Sequence, residues 1–335
     1  MTSQGKPKKT TDTAVKKRLG LVARATSRRA DARARRRELR EQSALPGYIS
    51  FTTGVFQTLA KYWKPIAILL AMYVGLATLF VGLVQQDEYL TLSESIKEFG
   101  PELIGGQVDA LTRTLGIFGV AVTGGLNETV SEVQQIFMGM VFILMWLVLI
   151  WLLRQLLAGN MVKVRDALYN GSTPLISTLL IVLLMIIQSI PAVLGVLIFS
   201  LATQGAVVAG VVGMLFAIGS LPLILLSLYW LTSSVFALLI VTLPGTYPMA
   251  AVRAAGNIVR GRRLPLMIRL LWLGIALMLM WAVVLVPVLL VDSWLSAGWF
   301  SPVPVTIQIL SGFSLIFATT YIYLLYRGMI NEPAS

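Results

Sequence analysis

The sequence predicts an all-α, polytopic helical membrane protein with about six transmembrane helices, and three observations carry that prediction. Of its 335 residues 57% are hydrophobic, with a mean hydropathy of +0.81, more apolar surface than a soluble core of ordinary composition hides. Apolar runs close to the roughly 20 residues needed to cross a hydrocarbon core of about 30 Å recur along the chain. Once those runs are treated as spans, 25 of the 27 Lys and Arg residues fall on one side, with Lys97 and Arg113 alone opposite. Basic residues favour cytoplasmic loops, so this asymmetry puts both termini in the cytoplasm.

In chain order, residues 1–47 form a basic cytoplasmic tail and residues 48–335 a membrane domain. The first 13 residues are polar and aperiodic, as in a disordered tail. From Ala14 to Gln42 the Ala, Arg and Leu content favours helix, and Pro46 and Gly47 end it. Residues 48–63 alternate aromatic with small polar groups and should form an interfacial amphipathic elbow before Pro65 opens the first span, at about 66–84. That apolar run is too long and too late for a cleaved signal peptide, so it is expected to stay as an anchor.

The outer loop, 85–135, is too long to be structureless in a compact protein. Thr91 and Glu94 have capping-box spacing, and Leu92, Ile96 and Phe99 follow on one helical face. Leu111, Leu115, Phe118 and Val122 form a second stripe, and both segments should rest on the bundle's outer surface. Asn127-Glu128-Thr129 matches a glycosylation acceptor, although nothing else points to a secretory route. The second span is expected at 136–158 and the third at 175–200.

The fourth segment, 207–243, would make a helix of roughly 55 Å, long for one crossing and short for two. Charge decides: two crossings would put Arg253, Arg260, Arg262, Arg263 and Arg269 outside. One crossing is therefore expected, bent or broken at Pro222, with part of the segment tilted or re-entrant. The fifth and sixth spans follow at 270–291 and 303–326. Trp63, Trp151, Trp294, Trp299, Tyr321 and Tyr326 sit near span ends, as an interfacial aromatic belt would.

Composition removes most chemistry. The chain has no Cys and no His, which excludes disulfides, thiolate nucleophiles, imidazole bases and the commonest metal ligands. There is no Walker motif, and no metal or cofactor is predicted. An enzyme would need outer-loop carboxylates such as Glu94, Glu98 and Asp109 to converge, and the expectation is that the protein is not one.

Basic segments are the main candidates for function. The first 40 residues hold 14 Lys or Arg against three acids, with Arg33, Arg35, Arg36 and Arg37 at their densest. Such a tail can simply enforce orientation, can bind anionic lipid at about 1 kcal/mol per engaged residue, or can meet nucleic acid or the ribosome through phosphates. The Arg run has no aromatic residues for base stacking, which disfavours nucleic acid. The second segment, Pro248 to Arg263, puts Arg253, Asn257 and Arg260 on one helical side and Val252, Ala255, Ile258 and Val259 on the other. It should lie flat on the membrane, where Arg262 and Arg263 extend the charge toward an anionic headgroup or an acidic protein partner; a snorkelling linker is the alternative.

Within the spans, Gln188 with Ser189 and Gln308 with Ser311 are the most polar positions. They can hydrogen-bond between helices, or line the path of a permease for an uncharged or amphipathic solute. Gly205, Ala209, Gly213 and Ala217 repeat every four residues and offer a smooth ridge for helix packing.

Leu243-Pro244, Met249-Ala250-Ala251 and the run Asn257-Ile258-Val259-Arg260-Gly261-Arg262 together resemble a linker in bacterial multipass proteins related to glycerophosphodiester phosphodiesterase membrane domains. Leu45-Pro46-Gly47 to Phe51-Thr52 is similar to such proteins as well, although those proteins usually have Ser where Gly256 or Asn257 stands here. The resemblance covers under a tenth of the chain and implies six spans and no established activity. The expected protein is thus a structural, lipid-interacting or assembly component of a bacterial cytoplasmic membrane, with a permease as the alternative.

Overall fold

The computed structural model describes residues 46–81, 132–203, 211–295 and 302–331, and among them every element is a helix. In chain order these are α1 (Tyr48–Lys61), α2 (Trp63–Val81), α3 (Glu132–Leu157), α4 (Val164–Gly171), α5 (Leu175–Thr203), α6 (Val211–Ile240), α7 (Pro248–Val259), α8 (Arg263–Leu295) and α9 (Val303–Asn331). Six of them, α2, α3, α5, α6, α8 and α9, are long and apolar enough to cross a membrane. The chain divides into two units, Gly47–Arg327 and a smaller one of residues 1–46 with 328–335. Of the smaller unit, Pro46 and the last turn of α9 are described, and all packing below belongs to the larger.

The helix α9 is the most buried of the six. In its apolar window 61% of residues are buried, against 11% for α5 and 17% for α8, so α9 faces protein while the other two leave most of their side chains at least partly exposed. Its composition suits that place. Ser314, Thr319 and Thr320 are buried, and each hydroxyl donates to a carbonyl four residues back, which satisfies it within the helix. Gly312 admits α2, because a Cβ there would stand 2.6 Å from Tyr73 Cδ1 and 2.7 Å from Leu70 Cδ1. Next to it Ser311 meets the Tyr73 hydroxyl at 3.2 Å.

The helix α1 docks on this core along Phe51, Val55 and Leu59, buried at a spacing of four. Phe51 meets the Tyr321 ring edge-on with centroids 4.8 Å apart, and Phe56 meets Phe317 at 4.9 Å. Trp272 Nε1 of α8 donates to Thr52 Oγ1 at 3.1 Å, and Tyr62, just past α1, donates its hydroxyl to the Leu156 carbonyl at the end of α3. Tyr321, expected in an aromatic belt, is instead fully buried because α1 covers it, and its hydroxyl donates to the Arg269 carbonyl at 3.3 Å.

The pair α5 and α6 packs closely around Gly195, where a Cβ would lie 2.9 Å from the Ser220 carbonyl oxygen. Pro191, inside α5, lacks an N–H and crowds the preceding turn. The nearby Gln188 carbonyl accepts from Ser227 Oγ of α6 at 2.5 Å, so α6 supplies a donor where the α5 ladder is disturbed.

Among the described residues of the segment 207–243, α6 is one helix, continuous through Pro222 from Val211 to Ile240, and no re-entrant piece occurs. A hydrophobic run this long forms one helix because proline within it forfeits a single backbone bond while the apolar surroundings penalise opening the rest. The tail helix of 14–42, the two outer-loop helices, Asn127 and the carboxylates Glu94, Glu98 and Asp109 lie outside the described residues.

Candidate functional site

A tight turn at each end of α7 shapes a polar concavity. Beyond α6 the chain reverses through Gly245, at φ +80°, and Pro248 then opens α7 at its first helical position. Ala251, Ala255 and Val259 of α7 are buried at a spacing of four and pack toward α6 and α5. Arg253, Asn257 and Arg260 are exposed on the opposite side, as the helical periodicity predicts. Then Gly261, also at φ +80°, turns the chain sharply into α8, which begins at Arg263.

The turn creates a cleft of about 640 Å³ lined by Tyr229 of α6, Gly256 and Asn257 of α7, Arg260 and Gly261 of the turn, and Arg263 and Leu264 of α8. The Arg263 guanidinium lies 4.7 Å from the centroid of the Tyr229 ring, whose π face holds the cation in place while leaving N–H donors for a ligand. No acid is in the lining. The C-terminal end of α7 and the N-terminal end of α8 meet here, and their partial charges of about half a unit oppose each other, so Arg260 and Arg263 set the sign of the site. A planar guanidinium with fixed donors matches phosphate or carboxylate oxygens in pairs, and the Asn257 amide can donate or accept beside them.

Of the four arginines expected around this segment, Arg260 and Arg263 line the cleft. Arg253 lies two turns back on the exposed face of α7, and Arg262 is half-buried outside the lining. Tyr229 and Leu264 were not among the sequence candidates. Tyr229 lies in the middle of the apolar run 207–243, so no interfacial aromatic signal marked it in the sequence. Arg33, Arg35, Arg36 and Arg37 lie outside the described residues.

The intramembrane polar positions separate. Gln188 Oε1 accepts from Ser234 Oγ of α6 at 2.6 Å, and Ser189 donates to its own helix at the Ile186 carbonyl. Ser311 engages Tyr73 of α2, and Gln308 is buried a turn away. Among the described residues no hydrogen bond joins Gln188 to Gln308 or Ser311: Gln188 serves the α5–α6 contact and Ser311 the α2–α9 contact. Along the proposed packing ridge, Gly213 and Ala217 lie in the first turns of α6, while Gly205 and Ala209 fall outside the described residues.

Two arginines elsewhere make structural contacts. Arg154, at the end of α3, donates to Thr242 beyond the end of α6. The Arg269 guanidinium lies 5.2 Å from the Tyr48 ring centroid and 5.7 Å from that of Phe51. No family model, curated protein or solved structure matches this chain.

Proposed function

We propose that the protein is a non-enzymatic, structural or assembly component of a bacterial cytoplasmic membrane that works by holding anionic groups at its cytoplasmic face. Both termini lie in the cytoplasm in this reading, and α1 and α7 run at the cytoplasmic interface. The carrying observation is the cleft, where Arg260 and Arg263 share a lining with Asn257 and with no acid. The charge asymmetry of the whole chain supports the cytoplasmic assignment of that end. Binding is favoured over catalysis because the sequence has neither His nor Cys to act as base or nucleophile. It is favoured over a permease because Gln188, one of the two glutamines that would line a solute path, already accepts a hydrogen bond from Ser234. The resemblance of residues 243–262 to linkers of bacterial multipass proteins agrees with this reading and adds no activity.

The test is titration of the detergent-solubilised full chain with inorganic pyrophosphate. Weak binding that falls with added salt, and that drops about tenfold or more in the double variant Arg260→Gln, Arg263→Gln, is the expected result. Binding that ignores both salt and the substitutions would sink the reading.

A further inference from the structure

We infer that the cleft is the headgroup end of a site for one two-chain anionic phospholipid, whose acyl chains lie along α6 and α8. This inference rests on the anion-binding reading of the same cleft and names the ligand class. Two apolar stripes start at its lining. On α8, Leu264, Ile268, Leu271 and Ile275 are all exposed and follow one another at helical spacing. On α6, Tyr229, Leu225, Leu221 and Ile218 are exposed and run in the same way from the cleft toward the helix start. The two helices pack against each other, and the Arg263–Tyr229 contact joins the two stripes at the headgroup end.

The dimensions agree with a lipid. Each stripe covers 11 residue steps, roughly 16 Å at 1.5 Å per residue, which is the depth of one leaflet in a hydrocarbon core of about 30 Å. A phosphate between Arg260 and Arg263 would therefore have two apolar tracks of leaflet length leading away from it. A free phosphate or an acidic peptide would use the arginines and leave both tracks unused. The cleft also keeps room beside the arginines, where Gly256 and Gly261 carry no side chain and Asn257 offers an amide to a hydroxylated headgroup.

The experiment compares four ligands on the full-length protein in detergent, by native mass spectrometry or thermophoresis: dioleoyl phosphatidylglycerol, its single-chain lyso form, glycerol 3-phosphate and dioleoyl phosphatidylcholine. The two-chain anionic lipid should bind about tenfold or more tighter than glycerol 3-phosphate, with the lyso form between them. It should also outbind phosphatidylcholine, and Arg260→Gln with Arg263→Gln should weaken it about thirtyfold. Lys163→Gln with Arg165→Gln, both on the exposed side of the α4 region, should leave it unchanged. Equal affinity for glycerol 3-phosphate and the two-chain lipid would overturn the lipid inference and leave the anion site standing. Equal affinity for phosphatidylcholine, or no effect of the arginine substitutions, would overturn both. Should the double variant elute as aggregate, the single variant Arg260→Gln, at an exposed turn, reads the same loss in smaller measure, and its indifference would overturn both as well.

Discussion

Arg154 and Thr242 are 88 residues apart in sequence and doubly bonded in space: Arg154 Nη1 donates to the Thr242 carbonyl at 3.2 Å and Nη2 to its hydroxyl at 2.7 Å. The cation at the end of α3 thereby reaches the turn beyond α6, where helix carbonyls lose their partners and the dipole is negative. Thr242 passes the interaction on, donating its hydroxyl to the Leu239 carbonyl at 2.7 Å. Hydrogen bonds to charged groups are worth about 1.5–3 kcal/mol. Thr242→Val should therefore lower the unfolding free energy in detergent by about 1–2 kcal/mol, and Arg154→Met by about 2–3 kcal/mol. The double variant should cost less than the sum, and strict additivity in such a cycle would show that the two side chains do not cooperate.

The same contact brings the ends of α3 and α6 to one end of the bundle, which makes sidedness testable. With no native cysteine, single substitutions report their own position. Met161→Cys, in the α3–α4 turn, and Met249→Cys, at the start of α7, are fully and largely exposed. Both should react with an impermeant maleimide only from the cytoplasm, whereas Val133→Cys at the opposite end of α3 should react only from outside. Reversed labelling would invert the assignment of every basic segment.

Gly312 controls how closely α2 approaches α9. A methyl there meets the Tyr73 ring at 2.6 Å, and the ring is held by Ser311, so it yields only by giving up that bond. Gly312→Ala should destabilise by about 1–3 kcal/mol, the usual range for overpacking. Gly75→Ala on α2 has open space around its Cβ and should be neutral or gain up to about 1 kcal/mol from helix propensity. Thermal unfolding in detergent distinguishes them, and equal shifts would mean that the α2–α9 contact is loose.

The spans were legible in the sequence because lipid enforces a length and a composition that any single chain must display. Five apolar runs stand at positions matching α2, α3, α5, α8 and α9, and charge alone reduced the long fourth run to one crossing. Their ends were less so. The helix α8 begins at Arg263, seven residues before the apolar run expected at 270, because Arg269 finds the Tyr48 and Phe51 rings and need not stay in a loop. The helix α4 was missed altogether: eight residues with little apolar content become helical by burying Val164, Ala167 and Gly171, and Gly171 lies so near α3 that a Cβ would stand 2.9 Å from Val148 Cα. Lys163 and Asp166 were the local hint, since the Asp166 carboxylate accepts the Lys163 N–H at 3.4 Å. At the cleft, the arginines were visible as a charge cluster, but Tyr229 lies 34 positions before Arg263, and no periodicity links residues across a turn and a helix.

Trp146 offers a test of polar accounting. Its ring is buried and its Nε1–H meets no acceptor among the described residues. A buried donor without a partner costs about 1–3 kcal/mol, while shrinking an indole to a phenyl ring forfeits packing of similar size. Trp146→Phe should therefore change stability by no more than about 1 kcal/mol, an unusually small effect for a core tryptophan. A loss above about 3 kcal/mol would mean that the indole N–H is bonded in the membrane-embedded protein.

Gly261 connects backbone conformation to the ligand site. Its φ of +80° is the left-handed region, which costs a residue with a Cβ roughly 1–2 kcal/mol, and no neighbour lies within 4 Å of a Cβ built there. Space is free, so strain in the backbone is the whole penalty. A chain that relaxes this strain rotates the turn, and Arg260 and Arg263 on either side of it lose the spacing with which they enclose a phosphate. Gly261→Ala should thus lower affinity for anionic lipid more than it lowers the unfolding midpoint, and Gly261→Asn, which tolerates the left-handed region better, should recover part of both. Stability lost at unchanged lipid affinity would place the strain in the fold alone and separate the turn from binding.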